Sequence, residues 1–245
     1  MPRLSVIICC YNEQATIRQV IEATRAVDLG PGWNREILVI DNSSSDGTRQ
    51  ILEAIDYPDI RVIFHDQNLG KGMSIRTGIA QMTGDYMIIQ DADLEYDPAE
   101  HPRFCEVALA QNAAAVFGSR VLGGQVVTEY WRTYFGNRLL TLITNLLFGG
   151  KLTDVATATK MVRADVVKSL NLTTTDFNLD FELPDKILLA GFDILEIPIS
   201  YNPRTYEEGK KIGAIDGIKA ILTMLRDRLG LSPVMKSEAA MDATA

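Results

Sequence analysis

The chain has 245 residues, of which 47% are hydrophobic and 23% are charged, a composition typical of soluble globular proteins. That length is enough for one α/β domain with a sizeable buried core. The formal net charge of −8 at pH 7 argues against a nucleic-acid-binding protein, because such proteins are normally basic.

The first half of the chain alternates short strand patterns with helical patterns. Five stretches are β-branched and apolar on both faces, as is typical of a parallel sheet covered by helices. These are residues 4–10, 36–40, 61–65, 86–90 and 114–118. The alternation predicts a doubly wound, mostly parallel sheet whose ligands bind at the carboxyl ends of the strands.

Helix signals lie between these strands. Apolar positions at 17, 20, 21 and 24 follow helical spacing, and Asp46 is a predicted N-cap for a helix over residues 47–55. Asp97 followed by Pro98 is typical of a helix start, since proline is favoured at the first helical position.

The second half is less regular. It contains predicted helices over 130–148 and 180–190, a strand over 194–201, and an amphipathic helix over 214–229. The apolar stripe of that last helix consists of Ile215, Ile218, Leu222, Leu225 and Leu229. We expect one domain over residues 1–230, with a nucleotide-sugar-binding half (1–118), an acceptor-side half (119–230) and a flexible tail over 231–245.

No segment predicts a signal peptide or a membrane-spanning helix. The longest strongly apolar stretch, 139–148, falls short of the ~20 residues that cross a bilayer. Three cysteines without a C-x-x-C pair indicate buried thiols in a reducing compartment, so we expect a cytoplasmic protein. The apolar faces of 139–148 and 214–229 are predicted to pack on the sheet or another subunit, or alternatively to lie on a bilayer.

A carboxylate cluster follows the fourth strand pattern. Asp91, Asp93 and Glu95 crowd together where the strand ends, and like charges this close usually need a cation or positive ligand. Hard oxygen ligands suit Mg²⁺ or Mn²⁺, which can bridge to a diphosphate. An acidic turn that merely caps a helix is an equally good explanation of the D-x-D motif alone.

Other polar turns also follow strands. Asp41 ends the second strand and can accept hydrogen bonds from a base or ribose, while Tyr11 and Glu13, after the first strand, can pack on a base or bind ribose. Lys71 stands in N-L-G-K-G at a helix start, which suits an anionic ligand. The basic loop 204–211 can bind phosphate. Each motif alone can also be a capped turn or a solvated loop.

Together these motifs resemble family 2 glycosyltransferases with the GT-A fold. The blocks V-I-I-x-x-Y-N-E (6–13), V-I-D-N-S-S-S-D-G-T (39–48), N-L-G-K-G (68–72) and Q-D-A-D-L-E-Y-D-P (90–98) fall in that family's order. The segments 117–120, 152–154, 181–182 and 196–211 are similar to the polyprenyl-phosphate branch, typified by dolichyl-phosphate mannose synthase.

The resemblance implies an inverting, metal-dependent transfer of a hexose from a UDP- or GDP-sugar to a polyprenyl phosphate, with Mg²⁺ or Mn²⁺ as cofactor. It implies that the nucleotide sugar is bound by Tyr11, Glu13, Asp41, Lys71, Asp91, Arg204 and Lys211. It implies metal ligands Asp91, Asp93 and Glu95, and acceptor-binding residues Arg120, Arg132 and Arg138. The expected catalytic residues are Asp93, Asp154, Arg204 and Lys211. A homo-oligomer or a membrane-anchored partner subunit is compatible with the activity that the resemblance implies.

The chain departs from the family pattern in three places. Asn42 replaces a frequent aspartate, Glu95 stands where mannose synthases usually have glutamine, and 153–160 keeps Asp154 and Lys160 but is otherwise altered. A phosphate acceptor needs no general base, whereas a hydroxyl acceptor would need one, for which Asp154 is the candidate. Two alternatives therefore stay open: a soluble glycosyltransferase acting on a saccharide, peptide or small-molecule hydroxyl, and a non-catalytic nucleotide-sugar-binding protein.

Overall fold

A computed structural model describes residues 1–123, 131–203 and 214–231 of the chain. The strands in this part are β1 Arg3–Cys10, β2 Asn34–Asp41, β3 Ile60–Phe64, β4 Tyr86–Asp91, β5 Ala115–Ser119, β6 Lys160–Arg163 and β7 Ile194–Pro198. The helices are α1 Ile17–Ala26, α2 Thr48–Glu53, α3 Lys71–Gln81, α4 His101–Ala110, α5 Trp131–Phe148, α6 Ala164–Ser169, α7 Leu179–Leu189 and α8 Ala214–Arg228. A short 3₁₀ turn, Pro98–Glu100, precedes α4.

The strands form one mostly parallel sheet in the order β3-β2-β1-β4-β6-β5-β7. β1 pairs in parallel with both β2 and β4, so the chain first builds outward through β2 and β3 and then returns to the other side of β1. The strand order therefore reverses between β1 and β4, and a crevice for ligands is expected beyond the carboxyl ends there. The predicted α/β fold class is confirmed.

Helices cover both faces of the sheet because successive strand side chains point to opposite sides. Val6 and Ile8 of β1 belong to a buried cluster with α1 and α4, whereas Ile7, between them, packs in a second cluster with α3, α6 and α7. Such two-sided burial explains why these strands are apolar along their whole length.

The structure adds two elements that the sequence patterns did not predict, β6 and α6. β6 has only four residues and begins with Lys160, which is fully buried, so it carries no apolar run. It lies between β4 and β5 and runs antiparallel to both. The predicted N-cap is also corrected: Gly47 is the N-cap of α2, while Asp46 accepts hydrogen bonds from the backbone and hydroxyl of Thr48.

Among the residues that the structure describes, the predicted apolar stripe of the last helix does not pack on the sheet, whereas packing on another subunit or on a bilayer stays a prediction. Ile218, Leu222, Leu225 and Leu229 are 62%, 60%, 42% and 68% exposed, and it is the opposite face of α8 that is buried. Ala220 and Met224 on that face pack with α5 and with residues 152–155. The Ile215 side chain lies outside the described part, and no described helix is long and apolar enough to cross a membrane.

Candidate functional site

The carboxyl ends of β1, β2 and β4 bring the predicted donor residues together. The last residues of β1 pair with both neighbours, Cys10 with Asp41 and Cys9 with Asp91, so the two aspartates flank the end of the same strand. Adjacent strands lie about 4.8 Å apart. Two such spacings separate β2 from β4, so a ligand that contacts both carboxylates has to span about 10 Å across the end of β1.

Hydrogen bonds between turns organise the predicted nucleotide-binding side of this site. Asp41 is fully buried, and its Oδ1 accepts a hydrogen bond from the backbone N–H of Ser44 at 3.2 Å. Asn12 follows Tyr11, and its side-chain oxygen accepts a hydrogen bond from the backbone N–H of Ser45 at 2.8 Å. The backbone N–H of Asn12 donates to the hydroxyl of Ser44. The turn after β1 and the turn after β2 are therefore held as one surface.

Asn42, a departure from the family pattern, anchors the N-L-G-K-G loop. Its side-chain oxygen accepts from the N–H of Leu69 at 2.9 Å and its side-chain nitrogen donates to Asn68 at 2.8 Å. A carboxylate accepts but cannot donate, so aspartate cannot make both bonds. The amide thus serves the loop that carries Lys71, and this gives the substitution a structural reason.

Lys71 is held between two carboxylates at the centre of the site. Its ammonium lies 2.8 Å from Asp91 and 3.6 Å from Asp180, and Asp180 in turn lies 3.3 Å from the buried Lys160. Burial would lower the pKa of Lys71, but Asp180 and Asp91 raise it well above its ordinary value. Lys71 therefore stays protonated, and it places a positive charge in the predicted diphosphate site.

The predicted metal set Asp91, Asp93 and Glu95 stays a prediction, and in this structure Asp91 is in an ion pair with Lys71. In the described ranges, no group of three or more His, Cys, Asp or Glu side chains is arranged to hold a metal ion. Asp93 and Glu95 are the remaining candidates, and the N–H of Glu95 donates to Asp93 at 3.1 Å. Two carboxylates fit Mg²⁺ or Mn²⁺, since Mg²⁺ at such sites is usually held by one or two carboxylates plus substrate phosphates and water.

Arg120 and Asp154 form a bidentate ion pair in the predicted acceptor-side half of the chain. Two guanidinium nitrogens lie 2.7 Å from the Asp154 oxygens, and a third donates to the hydroxyl of Tyr96 at 3.2 Å. Glu196 holds the adjacent backbone by accepting from the N–H groups of Thr153 and Asp154. The acceptor-side arginine is thus fixed in place by packing and charge.

The expectation that Asp154 acts as a general base stays a prediction, and its ion pair with Arg120 does not favour that role. Burial would raise its pKa, but the charge and hydrogen bonds of Arg120 outweigh burial and lower it. A carboxylate with a lowered pKa is a poor proton acceptor. The contacts of Asp154 are those of a side chain that positions Arg120.

The other predicted basic residues are only partly described. Arg138 lies on α5, and its guanidinium donates to the carbonyl of Thr153 at 2.9 Å, next to the Arg120–Asp154 pair. The side chain of Arg132 and the residues Arg204 and Lys211 lie outside the described part of the chain. Their roles in acceptor and diphosphate binding stay predictions.

Comparison with known proteins gives the family. Residues 5–170 match the family model described as glycosyl transferase family 2. The chain belongs to glycosyltransferase family 2. This confirms the resemblance on which the motifs were interpreted, and the match extends over all the strand-end carboxylates described above.

Several curated members of this family are similar to the chain. It is 31% identical over 172 residues to the undecaprenyl-phosphate 4-deoxy-4-formamido-L-arabinose transferase of Edwardsiella ictaluri, covering 68% of this chain and 51% of that protein. It is 28% identical over 222 residues to the dolichol-phosphate mannosyltransferase of Pyrococcus furiosus, covering 86% and 60%. It is 27% identical over 209 residues to the low-salt glycan biosynthesis hexosyltransferase Agl6 of Haloferax volcanii, covering 84% and 49%. The chain thus spans about half to three-fifths of the length of these relatives.

Solved structures of GT-A glycosyltransferases share the fold. Glucosyl-3-phosphoglycerate synthase from Mycobacterium tuberculosis, in complex with Mg²⁺ and UDP, matches with a TM-score of 0.69 at 23% identity, over 94% of this chain and 80% of that chain. The complex of the same enzyme with Mn²⁺, UDP and phosphoglyceric acid matches with a TM-score of 0.68 at 21% identity, over 93% and 78%. At this identity the likeness concerns the architecture.

Three residues of this family 2 site were not singled out by the sequence patterns. The sequence patterns place Asp180 at the start of the predicted helix 180–190, and Glu196 and Tyr201 within the predicted strand 194–201. Their contacts join segments far apart in sequence: Asp180 reaches Lys71, Tyr201 reaches Glu95, and Glu196 reaches residues 153–154. Contacts between residues so far apart in sequence cannot be predicted from local spacing. The motif over 196–211 was the one signal that pointed towards two of them.

Proposed function

We propose that this chain is the catalytic domain of an inverting, metal-dependent glycosyltransferase that moves a hexose from a UDP- or GDP-sugar to a polyprenyl phosphate. The observation that carries the proposal is the convergence of Asp41, Asp91 and Lys71 at the switch point of the sheet. Crevices at such points are where open α/β sheets bind ligands. Membership of glycosyltransferase family 2 supports the reaction class.

The donor half of the reaction uses the β1, β2 and β4 ends. Tyr11, Glu13 and Asp41 would bind the base and ribose, and Asp93 with Glu95 would hold the metal. When bound, Mg²⁺ or Mn²⁺ neutralises the negative charge that develops on the departing nucleoside diphosphate. Lys71 adds a fixed positive charge to the same site, which stabilises that charge without reorganisation.

The acceptor half uses Arg120. Arginine has five N–H donors, and within the described residues Asp154 and Tyr96 accept from three of them. The remaining donors suit the oxygens of a phosphate. The acceptor oxygen attacks the anomeric carbon from the face opposite the diphosphate, and the bond to the diphosphate oxygen breaks in the same displacement.

A phosphate acceptor agrees with the state of Asp154 better than a hydroxyl does. A hydroxyl acceptor needs a base to take its proton, and the candidate base is buried in an ion pair with a lowered pKa. A phosphate oxygen is already ionised and attacks without proton transfer. Two of the relatives are named for undecaprenyl phosphate and dolichol phosphate, which supports a lipid phosphate in particular.

We further propose that α5 and α8 rest on the surface of the bilayer that holds this lipid. α5 exposes an apolar stripe on the side away from the core, consisting of Trp131, Phe135, Leu139, Leu142 and Leu146. α8, which packs beside α5, exposes Ile218, Leu222, Leu225 and Leu229 on its own outer side. Exposed apolar stripes on two helices that contact each other suit interfacial binding.

The donor site is tested by ligand binding and by substitution of Asp93. UDP or GDP with Mn²⁺ is expected to raise the melting temperature of the wild-type chain, because a ligand that binds only the folded state stabilises it. Asp93→Ala is expected to keep the fold and to lose transfer of the sugar to undecaprenyl phosphate by at least about a hundredfold, since a ligand of the metal is removed.

The matched control is Asp56→Ala, an exposed aspartate on the loop before β3, at the opposite edge of the sheet. It is expected to transfer sugar at the wild-type rate. Wild-type turnover in Asp93→Ala would overturn the metal assignment. Nucleotide binding by the wild type without transfer to lipid or release of sugar to water would instead favour a non-catalytic binding protein.

A further inference from the structure

Tyr201 lies directly beyond β7, at the junction of the donor and acceptor halves of the site. Its hydroxyl donates a hydrogen bond to Oε2 of Glu95 at 2.9 Å, across 106 residues of sequence. Glu95 is one of the two candidate metal ligands. The orientation of this carboxylate is therefore set in part by a side chain from the other end of the domain.

Backbone contacts reinforce this junction. The N–H of Asn202 donates to the carbonyl of Glu95 at 2.9 Å, so both the side chain and the main chain of Glu95 are held from residues 201–202. The hydroxyl and N–H of Ser200 both donate to Glu100, each at 3.2 Å. The segment after β7 is thus joined to the segment after β4 along its length.

The ring of Tyr201 contacts the acceptor side. It packs against the ring of Tyr96 with centroids 5.2 Å apart, and the guanidinium carbon of Arg120 lies 5.0 Å from its centroid. A guanidinium over an aromatic face is attracted by the ring quadrupole. Arg120 is therefore bounded by Asp154 in its plane and by Tyr201 against its face.

We propose that Tyr201 is a positioning residue that links the two substrate sites, its hydroxyl orienting Glu95 towards the metal-bound diphosphate and its ring orienting Arg120 towards the acceptor phosphate. The inference rests on the proposed function, because it assigns a metal to Glu95 and an anion to Arg120. Among the described residues near Arg120, Asp154 and Tyr96 hold the arginine, whereas Tyr201 contacts both Arg120 and Glu95.

The two roles separate by substitution. Tyr201→Phe removes the hydroxyl and keeps the ring. We expect it to weaken Mn²⁺-dependent binding of UDP or GDP, whichever the wild type binds, by about tenfold, since side chains that hold a metal ligand typically change metal affinity by 10–100-fold. Calorimetry at varied Mn²⁺ measures this without turnover. Binding of the nucleotide in the absence of metal and the KM for undecaprenyl phosphate are expected to stay at wild-type values.

Tyr201→Leu removes the ring as well. We expect the same loss of Mn²⁺-dependent binding and, in addition, an increase in the acceptor KM of about fivefold, because the face of Arg120 loses its aromatic partner. Tyr201→Phe is then the conservative variant that restores the acceptor KM. The matched control is Tyr86→Phe, whose buried hydroxyl makes one long bond of 3.5 Å to Ala113 at the far end of β4.

Each outcome has a distinct meaning. Wild-type Mn²⁺-dependent binding in Tyr201→Phe would overturn the role of the hydroxyl, and an unchanged acceptor KM in Tyr201→Leu would overturn the role of the ring. If Tyr86→Phe weakened Mn²⁺-dependent nucleotide binding as much as the Tyr201 variants do, their effects would be explained by general destabilisation of the fold. If the wild type bound neither nucleotide with Mn²⁺, the proposed function itself would fail, and the inference would fall with it.

Discussion

Gly72, in the first turn of α3, faces the backbone of the segment before α7. A Cβ built there would lie 2.7 Å from the carbonyl oxygen of Asp176 and 2.8 Å from that of Thr174. Real Cβ atoms do not approach backbone so closely, so a side chain at this position has to push the segment away. The neighbouring Lys71 depends on this close packing for its reach to Asp180.

We expect Gly72→Ala to lower the free energy of unfolding by about 1–3 kcal/mol through overpacking, and to weaken nucleotide binding. Gly136→Ala is the matched control, because it is also helical and its Cβ would meet nothing within 4 Å. That control is expected to stabilise the chain by about 0.5–1 kcal/mol, the ordinary preference of a helix for alanine. Denaturant unfolding of both variants measures the difference, and equal stability of the two would contradict the packing argument.

The interface between α7 and α8 contains a buried acid. Asp185 is fully buried, and neither of its carboxylate oxygens has a hydrogen-bond partner within the described part of the chain. Burial, with the charges of Asp227 on α8 and Glu182 on α7, raises its pKa to about 9. The carboxyl is therefore protonated in the folded chain at neutral pH, and α8 docks on a neutral group.

A raised carboxyl pKa makes stability fall as pH rises, because the folded chain binds a proton that the unfolded chain has already released. The effect begins near the ordinary aspartate pKa of about 4 and is complete at about 9. Asp185→Asn, which cannot ionise, is expected to remove this slope, at most about 1.4 kcal/mol per pH unit. Its stability should match the wild type near pH 4 and exceed it increasingly towards pH 9. If the free energies of unfolding of the wild type and of Asp185→Asn changed with pH in the same way, the raised pKa of Asp185 would be contradicted.

The outer faces of α5 and α8 concern the whole molecule, since the proposed contact with a bilayer depends on them. Each helix buries the face towards the core and exposes an apolar stripe on its outer side. Clusters of exposed apolar side chains often mark interaction surfaces. Lys219 and Arg228 on α8 lie beside the apolar stripe and suit anionic headgroups, despite the net negative charge of the chain.

We expect the wild-type chain to float with vesicles that contain anionic lipid and undecaprenyl phosphate. The double variant Leu142→Glu, Leu222→Glu should bind about tenfold or more weakly, because two apolar side chains no longer enter the interface. Leu109→Glu, on the exposed side of α4, is the matched control and should float normally. Failure of the wild type to float would favour a soluble acceptor.

Much of the fold was predictable because it depends on local patterns. Buried parallel strands need apolar residues on both faces, and this requirement marked β1 to β5 within a few residues of their observed bounds. Parallel strands also bring their carboxyl ends to one edge of the sheet. The sequence alone therefore predicts that Asp41 and Asp91 lie at the same edge. β6 was not predicted from the sequence because it is short and begins with a buried lysine.

The sequence by itself determined the family, the order of the first five strands along the chain, and the set of polar residues at their ends. Only the tertiary structure decided how those residues pair: Lys71 with Asp91 and Asp180, Arg120 with Asp154, and Glu95 with Tyr201. It also decided that the apolar stripe of α8 faces outward. The physical reason is separation in sequence. The spacing of residues predicts contacts within one helix or strand. Contacts between side chains far apart in sequence form only when the sheet and its helices pack together.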